Sequence, residues 1–193
     1  MQIIHLAIIF FMNNTQPQEI IDFWYKESQP QDWFVKNTEF DKQIHDRFLP
    51  VYNQAIKGEL YTWRITPQGR LAEIIVLDQF ARNLFRNNPQ AFAYDTMALA
   101  LAQEAIQAGD DKKLEQNQRW FLYMPFMHSE SKAIHEQSIK LFTELGQQQT
   151  LQHAIDHKKI IDQFGRYPHR NKVLGRNSTP EEVEFLNNSN YLK

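Results

Sequence analysis

The sequence predicts an all-α fold: about eight helices joined by short connections, packed as antiparallel neighbours in a bundle or an array of helical pairs. Three observations carry this. Helix starts and stops recur along the chain, apolar residues fall at three- and four-residue spacing, and the period-two alternation of strands is almost absent. With 193 residues, 42% hydrophobic and 13% aromatic, the chain buries one sizeable core, which predicts a single domain over residues 1–193.

The elements come in this order. The opening MQIIHLAIIFFMNN is an apolar extension over residues 1–14. It lacks the basic start and small-residue cleavage site of an export signal and is too short to span a bilayer, so it reads as an added element or an over-extended start before Met12. Pro17 opens a helix carrying Ile20, Ile21, Phe23 and Trp24. Thr38 and Asp41 form a variant capping box ahead of Phe40, Ile44 and Phe48, and Pro50 is expected to end or kink that helix. A central helix runs from Gly69 to Arg86. Asn88 and Pro89 then cap an Ala-rich run from Ala91 to Ala108, which stops at Gly109. An aromatic helix is expected to break at Pro125. Helices over about Ser129–Leu145 and about Leu151–Phe164 come next. Thr179, Pro180 and Glu182 supply a capping hydroxyl, a first-turn proline and a returning carboxylate for the last. No internal repeat is evident.

Composition narrows the function classes. Lys and Arg total 21 against 23 Asp and Glu, so the formal charge of −2 gives no general attraction for nucleic acid or acidic membranes. There is no cysteine, which excludes disulfides, Cys-ligated zinc and thiol catalysis and fits a reducing cytoplasm. Any anion binding must be local, and FGRYPHRNKVLGRNSTPEE offers a place for it. From Gly165 to Ser178 it holds Arg166, His169, Arg170, Lys172 and Arg176 and no acid. Arginine forks take carboxylates and phosphates in pairs of hydrogen bonds. A solvated basic loop facing the acids of neighbouring helices is the plainer reading.

Three helices place polar groups on apolar faces. In GRLAEIIVLDQFARNLFR, at about 100° per residue, Asp78 and Arg82 fall on the arc of Leu71, Ile74, Ile75 and Phe85. A buried ion pair that fixes packing and a pocket in which Arg82 holds an anion are both open. In LQHAIDHKKIIDQF, His153 and His157 share the side of Ile160, Ile161 and Phe164; their spacing suits zinc, but the metalloprotease signature is absent. His157 is then a candidate for proton transfer. In YMPFMHSES, Glu130 leads the stripe of Ile134, Ser138, Leu141 and Leu145, with His128 beside it. Helix capping explains that acid equally well.

DQFARN, YMPFMHSE and FGRYPHRNKVLGRNSTPEEVEFL together, with an early IIDFWY and the pair Trp33 and Phe34, resemble the bacterial family called domain of unknown function 924, over about Ile20 to Leu186. The resemblance implies a fold similar to tetratricopeptide-repeat proteins and no established activity. The family pattern commonly has Pro at the place of Ala81 and Phe at that of Tyr167.

The leading expectation is a polar pocket that binds a small anionic molecule. His157, His169, Asp78 and Glu130 would do the proton chemistry, and Arg82, Asn83, His128, Arg166, Arg170, Asn171 and Arg176 would hold the ligand. A hydrolase or transferase acting on a carboxylate or phosphate ester, with no metal and no cofactor, is the concrete form. The rival is a helical module that binds a peptide or protein, with the polar motifs as internal struts.

Overall fold

Residues 15–188 are described by the computed structural model, and all their regular structure is helical. The extension over residues 1–14 lies outside them. Gln16 and Glu19 cap α1 (Pro17–Asp22), the Glu19 carboxylate accepting from the Gln16 backbone N–H at 2.8 Å. A π turn over Phe23–Glu27 then buries Phe23 and Trp24. α2 spans Thr38–Ala55. Its cap is Asn37 rather than Thr38, with the Asn37 side chain accepting from Glu39 and Phe40. Asp41 is thereby freed to pair with Asn83 and Arg86.

Both interior prolines are carried inside helices. Pro50 lies within α2, and Pro125 within α6 (Gln116–His128). A proline removes one ladder hydrogen bond and crowds the preceding turn, at about 3 kcal/mol. Burial of Phe121, Leu122, Phe126 and Met127 around Pro125 more than offsets that cost, at about 2 kcal/mol or more for each large side chain.

The central helix is α3 (Pro67–Ile75), which packs against α1, α5 (Asp95–Gln107) and α6. Gly69 permits one close approach: a Cβ there would stand 2.0 Å from the Trp63 carbonyl oxygen. Beyond Ile75 the helical path widens into a π turn, Val76–Phe80, and resumes as α4 (Ala81–Leu84). α5 begins at Asp95 because Pro89–Phe92 forms a separate 3-10 turn, and it ends ahead of Gly109, which takes φ 70° as expected of a left-handed stop.

α7 (Lys132–Leu145) and α8 (Gln148–Phe164) are the next two packed helices. α7 starts three residues after Ser129, so Glu130 precedes the helix instead of sitting in its first turn. α9 (Pro180–Asn188) opens as expected, Thr179 and Glu182 exchanging reciprocal capping bonds of 3.3 and 2.8 Å.

Aromatic rings fill the main core. Phe23 contacts Phe48 at 4.9 Å, Phe48 stacks on Phe80 at 5.1 Å, and Trp24 meets Phe121 edge-on at 5.4 Å. A second, smaller cluster joins Ile160, Ile161 and Tyr167 to Phe164 and Phe185. It fixes the segment from Gly165 to Ser178 between α8 and α9. No helix among the described residues is long and apolar enough to cross a membrane.

Candidate functional site

Five consecutive residues, Val76 to Phe80, are buried in the π turn of the central helix, and one of them is an acid. A π turn inserts an extra residue into the helical ladder and rotates the residues beyond it; such insertions gather at functional sites. Here it aims the Asp78 carboxylate across to α6. His128 Nδ1 lies 2.8 Å from Asp78 Oδ1, and Arg82 approaches the same oxygen at 3.2 Å and also donates to the Asp78 carbonyl. The Gln79 amide donates to the other carboxylate oxygen.

The network continues through Asp95, in the first turn of α5. One of its oxygens accepts from Arg82 at 3.0 Å and from Arg170 at 3.1 Å. Arg170 also donates to the His128 carbonyl at 3.1 Å, and its guanidinium lies 4.5 Å from the Phe92 ring centre and 4.6 Å from that of Tyr167. Two atoms of this ion pair are buried without a hydrogen-bond partner, Arg170 Nε and Asp95 Oδ1. The side chains of Arg82 and His128 retain 20% and 12% of their exposure, so they form the solvent-facing edge of the cluster. His128 Nε2, on the ring side away from Asp78, carries no hydrogen bond among the described residues.

A second network lies outside the first. Arg176 donates twice to Glu130, at 2.7 and 2.9 Å, and the same carboxylate accepts from the Tyr167 backbone N–H at 2.7 Å. Arg166 donates twice to Glu182, at 2.6 and 2.8 Å. Asn171 joins that pair, donating to Glu182 at 3.0 Å and to Ser178 at 3.1 Å. These bonds tie the basic segment to α9 and to the α6–α7 connection as a latch. An open groove lined by Phe164, Arg166, Thr179 and Glu182 runs along its outer side.

Three of the chain's seven histidines surround Tyr167. The ring centres of His157 and His169 stand 5.7 and 5.3 Å from that of Tyr167, and His135 Nε2 lies 3.2 Å from its hydroxyl, which donates to the Met127 carbonyl. His157 Nδ1 is 2.8 Å from the His153 carbonyl. Burial pushes the His157 imidazole down to about 3, and burial with the nearby Arg170 charge pushes His169 down to about 4. His128 is lowered as well, by burial first, with Asp78 pulling against it and Arg82 adding to it. Burial would raise the Asp78 carboxyl, but Arg82 and His128 outweigh it and hold that carboxyl below its usual range. Burial and Arg82 lower Arg170.

Of the residues expected at the site, Asp78, Arg82, His128 and Arg170 meet in the inner cluster, with His169 and His157 beside it. Glu130, Arg166, Asn171 and Arg176 meet in the latch, where the forks of Arg166 and Arg176 are filled by Glu182 and Glu130. Asn83 is turned away, donating to Asp41 of α2 at 2.8 Å. His153 is exposed instead of sharing the apolar side of its helix. The acid oriented toward an imidazole is Asp78, and the imidazole is that of His128 rather than His157 or His169. Sequence reasoning missed Asp95, Phe92 and Gln79. Asp95 reads as an ordinary first-turn acid, and only the fold brings two arginines to it. Among the described residues no group of three or more His, Asp and Glu is arranged to hold a metal ion.

The sequence matches, over residues 20–190, the family described as bacterial protein of unknown function, DUF924. A solved structure of a protein of unknown function, ATU0120 from Agrobacterium tumefaciens, is 39% identical and superposes with a TM-score of 0.86, covering 90% of this chain and 97% of that one. No curated protein matches. A family match across most of the length and a homologous helical array agree, and the chain belongs to the DUF924 family.

Proposed function

We propose that the chain binds a small anionic molecule at the edge formed by His128 and Arg82, with the buried Arg170 behind it, and that it acts there as a cofactor-free hydrolase or transferase on a phosphate or carboxylate ester. The observation that carries this reading is His128: Nδ1 is held by the buried Asp78 carboxylate, whose same oxygen Arg82 approaches, while Nε2 carries no hydrogen bond among the described residues. A carboxylate-oriented imidazole with one free nitrogen has the geometry of proton-transfer catalysis. The unpartnered Arg170 Nε and Asp95 Oδ1 add support, since buried polar atoms are normally satisfied and a ligand or its water would satisfy them.

In this reading the arginines hold the anionic group and His128 Nε2 gives a proton to the leaving oxygen as its bond to carbon or phosphorus breaks. The incoming water or alcohol oxygen bonds to that centre and returns a proton to Nε2, so the imidazole ends as it began. The Glu130, Arg166, Asn171 and Arg176 latch holds Arg170 and His169 in place. The absence of cysteine suits the reducing cytoplasm in which such metabolites occur.

The test is turnover of a panel of phosphate and carboxylate esters by the wild type and by His128→Gln, whose amide preserves a donor to Asp78. General acid–base loss predicts a fall in kcat of about 100-fold or more with an unchanged circular-dichroism spectrum. No turnover and no thermal stabilisation by any member of the panel would sink the proposal. One observation favours a second reading: Arg166 and Arg176 are spent on Glu182 and Glu130, as struts in a peptide-binding module would be. That module would bind peptides and leave the ester panel untouched.

A further inference from the structure

The inner cluster is balanced before any ligand arrives. Arg82 and Arg170 face Asp78 and Asp95, Arg176 faces Glu130, and Arg166 faces Glu182. An incoming anion therefore meets no surplus positive charge. It would add an uncompensated negative charge beside side chains that are mostly buried, which is unfavourable in so poorly solvated a place. A neighbouring group that can become positive removes this penalty, and His128, His135, His157 and His169 are the neighbours able to do so.

Their surroundings separate them. His135 is wholly buried, its Nε2 lying 2.8 Å from the Ser129 carbonyl. His157 is packed edge-on against Tyr167, with Nδ1 at the His153 carbonyl and His128, His135 and His169 as its charged or chargeable neighbours. His169 lies beside Arg170, whose charge opposes a second cation, with Glu130, Arg82 and His128 further off. His128 has a carboxylate directly against its ring. Asp78 lies against Nδ1, Asp95 adds negative charge from α5, and Nε2 carries no hydrogen bond among the described residues.

Building on the anion-site reading, we infer that this site takes up its anion together with one proton, which is carried on His128 between the Asp78 carboxylate and the ligand. In the free protein burial and Arg82 press His128 toward its neutral form. A bound anion offsets Arg82 and accepts from Nε2–H, so the imidazolium becomes stable only in the complex. Linkage then requires that ligand affinity fall as pH rises, by about tenfold per pH unit wherever free His128 is neutral and bound His128 is protonated. The site accordingly selects esters whose leaving oxygen must be protonated, because the proton arrives with the substrate and rests on Nε2.

Calorimetric titration of the full chain with sulfate and with formate, whose charges do not change between about pH 6 and about pH 8, tests this in two buffers of different ionisation enthalpy. The expected result is uptake of close to one proton per anion and an affinity that declines by about tenfold per pH unit. His128→Gln is expected to bind with pH-independent affinity, and His169→Gln to keep the pH dependence. Binding with no proton uptake and a flat pH profile would overturn the inference while leaving the anion site standing. Retention of the full pH dependence by His128→Gln would overturn the assignment to His128. Failure of both anions to bind at any pH in the range would overturn the site reading itself. Should His128→Gln not fold, proton uptake by the wild type still decides whether the anion brings a proton, and loss of the pH dependence in His169→Gln would overturn the assignment to His128.

Discussion

Asp78 shows how much of one residue's role was legible in advance. Its place on an apolar arc four residues before Arg82 marked it as interior and paired. Its third partner, His128, is 50 residues away, and no local pattern encodes that distance. The same limit hid Asp95, whose two arginines lie 13 and 75 residues away. Histidines behaved unevenly for a physical reason: a partly apolar helix face does not tell the ring that packs, His157, from the one that reaches water, His153. The packed rings carry a consequence for acid stability. His157 at about 3 and His169 at about 4 both lie below the ordinary 6.5. Between about pH 6.5 and about pH 4 the unfolded chain therefore binds more protons than the folded one, and stability falls as pH falls. Asp78, depressed below its usual range, adds a further loss at still lower pH, as protonation abolishes its pairing. Urea unfolding across this window is expected to give a steep decline for the wild type, and one shallower by about 1.4 kcal/mol per pH unit for His157→Gln. Equal slopes for the two proteins would show that His157 is not held neutral.

At the scale of elements, boundaries written in capping chemistry were the readable ones. Thr179, Pro180 and Glu182 gave the start of α9 directly, and Gly109 marked the end of α5. Pro125 misled because tertiary burial decides whether a helix tolerates a proline, and it sits amid buried aromatic and thioether side chains. Asn83, expected among the residues that hold the ligand, instead donates to Asp41 of α2. Glu182 was legible as a helix cap and illegible as the acid that holds the latch. Besides its capping bond it receives both nitrogens of the Arg166 fork and the Asn171 amide, in a residue only 2% exposed. Glu182→Gln keeps the shape and loses the charge. It is expected to cost about 2 kcal/mol in denaturant unfolding and to raise amide hydrogen exchange across residues 165–178, with α1 to α5 unaffected. Unchanged exchange in that segment would mean that the latch is held by other means.

For the whole molecule, class and family were readable because each rests on many weak signals that agree, whereas the site rests on a few strong contacts between distant segments. The architecture explains why those segments meet. The central helix delivers Asp78 and Arg82, α6 ends at His128, α5 begins at Asp95, and the small second cluster under Tyr167 brings Arg170 back over all three. The latch on the outside and the partly solvated edge within divide the basic segment into a half tied down by Glu130 and Glu182 and a half that the proposed anion site uses. That division is the central claim, and a crystal structure grown with phenylphosphonate, a stable mimic of a phosphate ester, measures it most directly. The account predicts the phosphonate oxygens within hydrogen-bonding distance of His128 Nε2 and of the Arg82 or Arg170 guanidinium, with the Arg166–Glu182 and Arg176–Glu130 pairs intact. Phosphonate bound at Arg166 or Arg176 with those pairs broken, or an inner cluster left unchanged and empty at saturating ligand, would contradict it.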